Sequence, residues 1–542
     1  MVSCVLCPEC MRQPNIQMPR IPEDVKSPFM VDLIGIIEHQ SVTIQQQAEI
    51  IQLLRDEIAR LKGQKPKPNI QPSKLEKDPA KKETPSSGKR PGSSKREKTP
   101  HLVIHEEIRI RPELVPEGSI LKDIQPYSVQ GLKIHPYNIC YLLERWHTPD
   151  GRNIVGKLPS HVQGHFDVGL KAYILYQHNQ CQVTQPLLLE QLQEWGVDIS
   201  AGQLNRILSE QKDVFHNEKD EILLTGLKVS AYVHVDDTGA RHNGKNGYCT
   251  HIGNEWFAWF QSTNSKSRIN FLELLHTGQK DYVVTEDALQ YMDNQGLAKS
   301  VLHSLDNHPK KKFADLAEWN AHLKELKIVN HRHIKIATEG ALIGSLLYHG
   351  LPKYLVIVSD DAGQFNILNH SLCWIHAERT LNKLIAPNEE KRQILESVRK
   401  QVWDFYDNLK VYKTSPEPTR KIELEKRFDA IFNQQTGYQM LNLALKRLYE
   451  NKAELLLVLD RPELPLHNNL SENDIREYVK RRKISGSTRS QLGRQCRDTF
   501  TSLKKTCRKW GVSFWNYLLD RLSHATNIPP LHEIIAQAAN PP

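Results

Sequence analysis

The residues best suited to chemistry are acids placed where apolar runs end. Val229, Ala231, Val233 and Val235 alternate with larger or polar partners, the pattern of a strand, and run into Asp236-Asp237-Thr238-Gly239. Tyr354-Leu355-Val356-Ile357-Val358 is a continuous apolar run, as expected of a strand covered on both faces, and it ends in Ser359-Asp360-Asp361. A third acid, Glu472, follows His467-Asn468-Asn469-Leu470-Ser471, where the pattern turns helical with Ile475 and Val479 on one side. Two strand-end aspartates and one helix-borne glutamate are the donors a two-metal site needs. Mg²⁺ is a hard cation that prefers oxygen ligands. Two such ions ~4 Å apart can clamp the attacking and leaving oxygens of a phosphoryl transfer. Singly, an Asp after a strand is more often a turn residue, and a Glu near a helix start more often serves the helix dipole. The joint pattern carries the reading.

Around these acids the sequence predicts an α/β chain. Asn243-Gly244 and Asn246-Gly247 are hairpin turn signals. A second strand rich in aromatics follows them, with Tyr248, Trp256, Phe257, Trp259 and Phe260, so the first carboxylate pair sits where the first strand of a hairpin ends. Asp236 and Asp360 are 124 positions apart, more than a compact core requires. The surplus, about 281–344, reads as a helical insertion (Ala288–Met292, Leu297–Leu305, Phe313–Leu326). Another helical insertion, about 373–459, precedes Glu472, with Trp403, Phe405 and Tyr406 anchoring its core. His376 and Glu378 read first as helix-surface or capping groups, with a role near the metal site as the alternative.

The flanking regions differ in kind. Residues 1–30 contain Cys4, Cys7 and Cys10 with no fourth ligand nearby, whereas a closed zinc site takes four. In 31–62, Ile37, Ile44, Ile51 and Ile58 recur every seven residues, the period of a coiled-coil helix. Seven prolines and twelve Lys or Arg mark 62–100 as a basic, disordered linker (63–100). Its excess of +8 is nearly the whole formal charge of +9. Residues 101–165 read as a small β-containing region, with His101–Ile110 alternating in strand fashion. Residues 166–225 read as three short helices ending in a helix-turn-helix. Thr184 and Ser200 are its N-caps, Gln203 completes a capping box, and Gln203, Asn205 and Arg206 are available to DNA. Residues 226–525 form the catalytic domain and 526–542 a C-terminal tail. Past Glu472 the chain turns basic. Arg476, Lys480, Arg481, Arg482 and Lys483, followed by Arg489, Arg494 and Arg497, suit phosphate contacts that position DNA without reading its sequence.

Composition narrows the class. With 542 residues, 39% hydrophobic and 25% charged, the chain is globular and large enough to need no disulfide scaffold. Scattered cysteines fit a reducing compartment. No apolar run approaches a membrane span, and no secretory signal is expected at the N-terminus. A cytoplasmic location follows as the expectation, with no membrane partner.

From about His101 to Leu522 the chain resembles the DDE transposases of the insertion sequence 66 family. The likeness is carried by Cys140-Tyr141-Leu142-Leu143-Glu144-Arg145-Trp146, Gly156-Lys157-Leu158-Pro159, Thr184-Gln185-Pro186-Leu187-Leu188 and Val235-Asp236-Asp237-Thr238-Gly239. It continues through Ser359-Asp360-Asp361-Ala362-Gly363-Gln364-Phe365 and the Arg482–Gly493 stretch. Its most specific pieces are Cys373-Trp374-Ile375-His376-Ala377-Glu378-Arg379 and Asn468-Asn469-Leu470-Ser471-Glu472. The resemblance implies a ribonuclease-H-like mixed-sheet core with helical insertions, preceded by the helix-turn-helix domain and the coiled-coil helix. It implies two Mg²⁺ ions (Mn²⁺ may substitute) held by Asp236, Asp360 and Glu472 as catalytic triad and metal ligands, with Asp361 as the alternate for Asp360. The substrate would be double-stranded DNA, both the element's terminal repeats and the target, cut and joined by a homo-oligomer with possible accessory proteins of the element. Many members carry a paired-cysteine zinc motif that this chain lacks, so zinc is not carried over. Two rival readings keep the fold and lose chemistry: a non-catalytic DNA-binding protein derived from a transposase, and a nuclease that cuts without joining.

Overall fold

The computed structural model describes residues 103–159, 162, 164–276 and 278–539. The cysteine cluster, the isoleucine heptads and the basic linker lie outside the described residues. The chain divides into two units, Met1–Leu132 and Lys133–Pro542. In the first, 103–132 form no helix or strand and lie open to solvent, with Ile108 74% and Ile110 90% exposed. The strand expected over His101–Ile110 is therefore absent from its described part. Alternation alone does not make a strand, because its ladder groups need a partner.

The second unit begins with a small hairpin, β1 (Arg145–His147) and β2 (Asn153–Val155). Helices α1 (Val168–Asn179), α2 (Gln185–Glu194), α3 (Ala201–Ser209) and α4 (Asp213–Val229) follow. The capping box at Ser200 forms: Gln203 N donates to Ser200 Oγ at 3.2 Å, and Ser200 N donates to Gln203 Oε1 at 2.8 Å. Thr184 stands at the N-cap of α2 without a side-chain bond. α1 to α4 bury Ile174, Leu188, Leu204 and Ile222 in the same hydrophobic core as the sheet that follows, and the expected 225/226 boundary falls inside α4.

The sheet has five strands in the order β5-β4-β3-β8-β9, where β3 is Tyr232–Gly239, β4 Tyr248–Gly253, β5 Ala258–Thr263, β8 Val356–Ser359 and β9 Asn369–Leu372. β3 to β5 are antiparallel, and β3, β8 and β9 are parallel. Asn243 and Gly244 take φ of 48° and 75° in the turn between β3 and β4, the left-handed pair that the Asn-Gly signal provides. The single aromatic strand expected after this turn is two strands. Asn254 breaks it, accepting Trp256 N through its side chain and donating its own N–H to Phe257 O. Nor does β3 end at the acids: Asp236 and Asp237 lie within it, opposite His251 and Thr250.

Helix α5 (Arg268–Leu275) leads to the expected helical insertion: β6 (Tyr282–Val283), α6 (Glu286–Asn294), α7 (Lys299–Asn307), β7 (Lys312–Phe313), α8 (Leu316–Glu325) and α9 (His331–Tyr348). α9 is part of the core rather than an appendage, with eleven consecutive residues from Ile336 to Leu346 buried. Gly344 permits this, since a Cβ there would stand 2.1 Å from Val283 O.

The second helical stretch is a lobe with its own core: α10 (Trp374–Asn382), α11 (Glu389–Thr414), α12 (Pro418–Phe432), α13 (Gln439–Glu450) and α14 (Lys452–Leu456). Trp374 meets Phe405, Phe428 and Phe432 there, and its indole N–H reaches Leu455 O at 3.0 Å.

Helices α15 (Asn469–Ser485), α16 (Gln491–Lys509), α17 (Phe514–Ser523) and α18 (Leu531–Ala539) complete the unit. The expected tail thus carries a helix, with Leu531 and Ile535 fully buried. α16 covers the edge strand β5. Its Asp498, Ser502 and Thr506, spaced four apart on one face, accept the N–H groups of Ser262, Phe260 and Ala258, spaced two apart. The edge is closed to further pairing.

Candidate active site

Parallel register brings the two aspartate pairs together. His234 pairs with Val358, and both strands point the same way. Two residues further on, Asp236 and Asp360 stand level at the sheet's C-terminal end. Alternation puts Val233, Val235 and Asp237 on one face of β3, and His234 and Asp236 on the other. β8 hands Asp360 to a loop pinned by Phe365 and Ile367, each 2% exposed; Phe365 meets Phe271 edge-on at 5.0 Å. Within the loop Asp360 accepts Ala362 N at 3.1 Å.

Glu472 arrives on the first turn of α15. Asn468, 1% exposed, sets where that helix starts. His234 Nδ1 lies 2.8 Å from its Oδ1, its Nδ2 donates to Val235 O at 2.9 Å, and its backbone N–H donates to Cys373 Sγ at 3.2 Å. Cys373 N in turn donates to Ser359 O at 2.9 Å. One residue therefore ties β3, the end of β8 and the start of α10 to the helix bearing Glu472.

Asp236 senses the other two acids. Burial, then Asp360 and, more weakly, Asp237 and Glu472, push Asp236 up to about 7. Its one hydrogen bond shown is from Asp237 N, at 2.8 Å. Glu472 is 3.7 Å from His376 Nε2, 3.4 Å from Arg379 and 3.9 Å from Arg476. A carboxylate raised toward neutrality by burial and then by like charges is what a cation would relieve. Oxygen donors alone suit a hard one. The alternates face elsewhere. Asp361 is paired with Arg447. Asp237 accepts Gln364 Nε2 at 2.8 Å and lies 3.8 Å from Lys266.

The basic residues divide. Arg476 is exposed 3.9 Å from Glu472, Lys480 and Lys483 are exposed further along α15, and Arg482 is tied to β3 through Gly239 O and Thr238 Oγ1. Arg481 does not face solvent: it is 7% exposed and donates to His178 O. The helical period explains this, since Arg481 is three residues from Tyr478 on the buried face. Arg494 is equally buried, bonded to Asn264, and Arg497 caps α15 through Gly486 O. On α3, Asn205 and Arg206 are exposed, whereas Gln203 Oε1 is spent on the capping box.

Two motif residues take places that their first reading did not give them. His376 lies 3.7 Å from Glu472; burial and then Arg379 hold its imidazole below the ordinary value, and its Nδ1 is buried without a partner among the described residues. Glu378 is 5% exposed and pairs with Arg399 at 2.6 Å inside the helical lobe. The Cys373–Arg379 motif contained this signal, because a cap would have stood one position before the helix, not on its third residue.

The family profile described as "Transposase IS66 family" matches residues 343–495. The chain belongs to this transposase family. The match begins in α9 and passes Glu472, so it spans Asp360 and Glu472, with Asp236 upstream. A second similarity is to the uncharacterized protein y4jO of Sinorhizobium fredii: 44% identical over 321 residues, covering 59% of this chain and the whole of that relative. Among the described residues of this family member, no helix is long and apolar enough to cross a membrane.

Proposed function

We propose that the protein is a DNA transposase that cuts at the ends of its element and joins the freed ends to target DNA, with Asp236, Asp360 and Glu472 holding two Mg²⁺ ions. The observation that carries this reading is that burial, then Asp360 from the loop after β8 and, more weakly, Glu472 on α15 push the Asp236 carboxylate on β3 up to about 7. The mixed five-stranded sheet supports a ribonuclease-H-like core. When bound, the ions would supply the charge that an in-line phosphoryl transfer demands and lower the pKa of an attacking water.

The chain's own residues do the rest. Asn468 fixes Glu472 against β3. His376 and Arg379 orient the Glu472 carboxylate. Arg476, Lys480 and Lys483 hold backbone phosphates beside the acids, and Asn205 and Arg206 on the helix-turn-helix α2–α3 contact the terminal repeats. Mn²⁺ would substitute for Mg²⁺, and a homo-oligomer would pair the two ends. The deciding experiment is strand transfer with pre-cut element ends and Mg²⁺. Joined product in the wild type and none with Asp236→Ala, both binding the terminal repeat equally, is the expected result. Cutting without joining would leave only a nuclease, and binding without cutting only a DNA-binding protein.

A further inference from the structure

The helical insertion holds a second donor set, of different chemistry. His308 follows the last residue of α7, and His322 and Glu325 stand three apart on one face of α8. One ligand atom from each lies within 4.8 Å of the others, and among the described residues this is the one such trio of His, Cys, Asp or Glu. His322 is 4% exposed, and its Nε2 is buried without a hydrogen-bond partner. Such an orphaned polar atom is destabilising until a partner satisfies it.

The ring is held in place, stacked on Phe313 with centroids 4.4 Å apart and set edge-on to His308, also at 4.4 Å. Lys310 N–H donates to His308 Nδ1 at 3.2 Å when that nitrogen is unprotonated, and Lys310 O stands 3.3 Å from it as the acceptor for the other tautomer. Binding a cation through Nε2 selects the tautomer in which Nδ1–H donates to that carbonyl, the outer hydrogen bond that metal-bound histidines commonly make. The neighbouring cations are already engaged: Lys310 pairs with Glu318, and Lys311 donates to Leu305 O at 3.0 Å.

We propose that His308, His322 and Glu325 bind one zinc-class divalent cation that fastens the loop between α7 and β7 onto α8. Two imidazoles and a carboxylate suit zinc, whereas Mg²⁺ takes oxygen donors. Around a tetrahedral zinc, ligand atoms stand about 3.3 Å apart. The exposed Glu325 can close that gap by a rotamer change, and water would complete the fourth position. This inference is independent of the transposase reading.

The test uses the full chain carrying Asp236→Ala, so that the acidic cleft cannot hold the metal. The protein is loaded with zinc chloride, dialysed, and assayed by atomic absorption and by the visible spectrum of the cobalt form. About one zinc per chain is expected. In the same background, Glu325→Gln and His308→Gln should each lose most of it with the far-ultraviolet spectrum unchanged. Glu325 is exposed and His308 half-buried, so neither change opens the core. Zinc should raise the melting temperature of the Asp236→Ala chain and leave that of Glu325→Gln unmoved. No retained zinc, or equal zinc with and without Glu325, would overturn the proposal and leave His322 an ordinary neutral core imidazole.

Discussion

Helix α15 carries two acids two residues apart, and their surroundings are opposite. Glu472 and its neighbours Asp236 and Asp360 form a cleft of like charges, and the cations near Glu472 stand 3.4 Å or more away. Asp474 points the other way, into a polar layer beneath β4. There Lys509 lies at 2.9 Å, Lys505 at 3.1 Å and His251 Nε2 at 3.4 Å. Burial alone would raise Asp474, but His251, Lys509 and Lys505 outweigh it and hold the carboxyl well below its ordinary range. The layer continues through Glu477 with Lys504 at 2.7 Å. Buried acids as such therefore say little about function. What distinguishes the cleft is Asp236, whose carboxylate is raised by burial and by its acidic neighbours with no cation among the groups that act on it, the condition under which a site can bind a cation and act on phosphate.

The largest test of this contrast exchanges the two roles. Asp236→Ala should lower Mg²⁺-dependent end cleavage by about a thousandfold, the scale of losing one strong electrostatic contribution at a transition state. The chain should remain folded and keep terminal-repeat binding. Asp474→Ala should do the reverse. It strands Lys505 and Lys509 in a buried layer, at a cost of about 3–5 kcal/mol in urea denaturation. Equal loss of stability in both variants would erase the distinction between the regions.

Asn468 belongs to both regions, since it is buried like the layer and positions Glu472 like the cleft. Asn468→Ala leaves His234 Nδ1 and Val235 O unpaired. Each costs about 1–3 kcal/mol. Cleavage should fall further than in a surface variant of equal stability, because the start of α15 loses its register. Activity that merely tracks stability would assign Asn468 to the layer alone.

The sequence exposed the cleft more readily than the layer, for a physical reason. Asp236, Asp360 and Glu472 follow strand or helix patterns that depend on near neighbours, so their elements were legible, as were the Asn243-Gly244 turn, the Ser200 capping box and the two helical insertions. Partners far apart in the chain left no such trace. Asp498, Ser502 and Thr506 closing the edge of β5, Arg481 turned inward to His178, and Glu378 paired with Arg399 all depend on tertiary placement. His376 was open between two readings because capping and active-site histidines look alike in one dimension. The exposed run at 103–110 shows the converse error, where local alternation was present and the partner strand was missing.

The smallest expected effect is a pH dependence whose sign differs between the regions. In the metal-free protein Asp236 titrates at about 7 against an ordinary 3.8, so between those values the folded chain keeps a proton that the unfolded chain has released. Stability must then fall as pH rises through that window, with the full loss present above about 7. Asp474 is depressed instead, so its contribution is present above the ordinary value of 3.8 and is lost as pH falls below it. Buried His234 and His370, each held down to about 4 chiefly by burial, add a loss on acidification that begins near 6.5. Asp236→Asn should therefore gain about 1–3 kcal/mol over the wild type at pH 8 and little at pH 4. Melting curves at the two pH values measure this directly. Mg²⁺ should stabilise the wild type at pH 8 while leaving Asp236→Asn unchanged, because the ion and the substitution relieve the same repulsion. A gain from Mg²⁺ that survives Asp236→Asn would place the cation elsewhere and break the link between uncompensated charge and function.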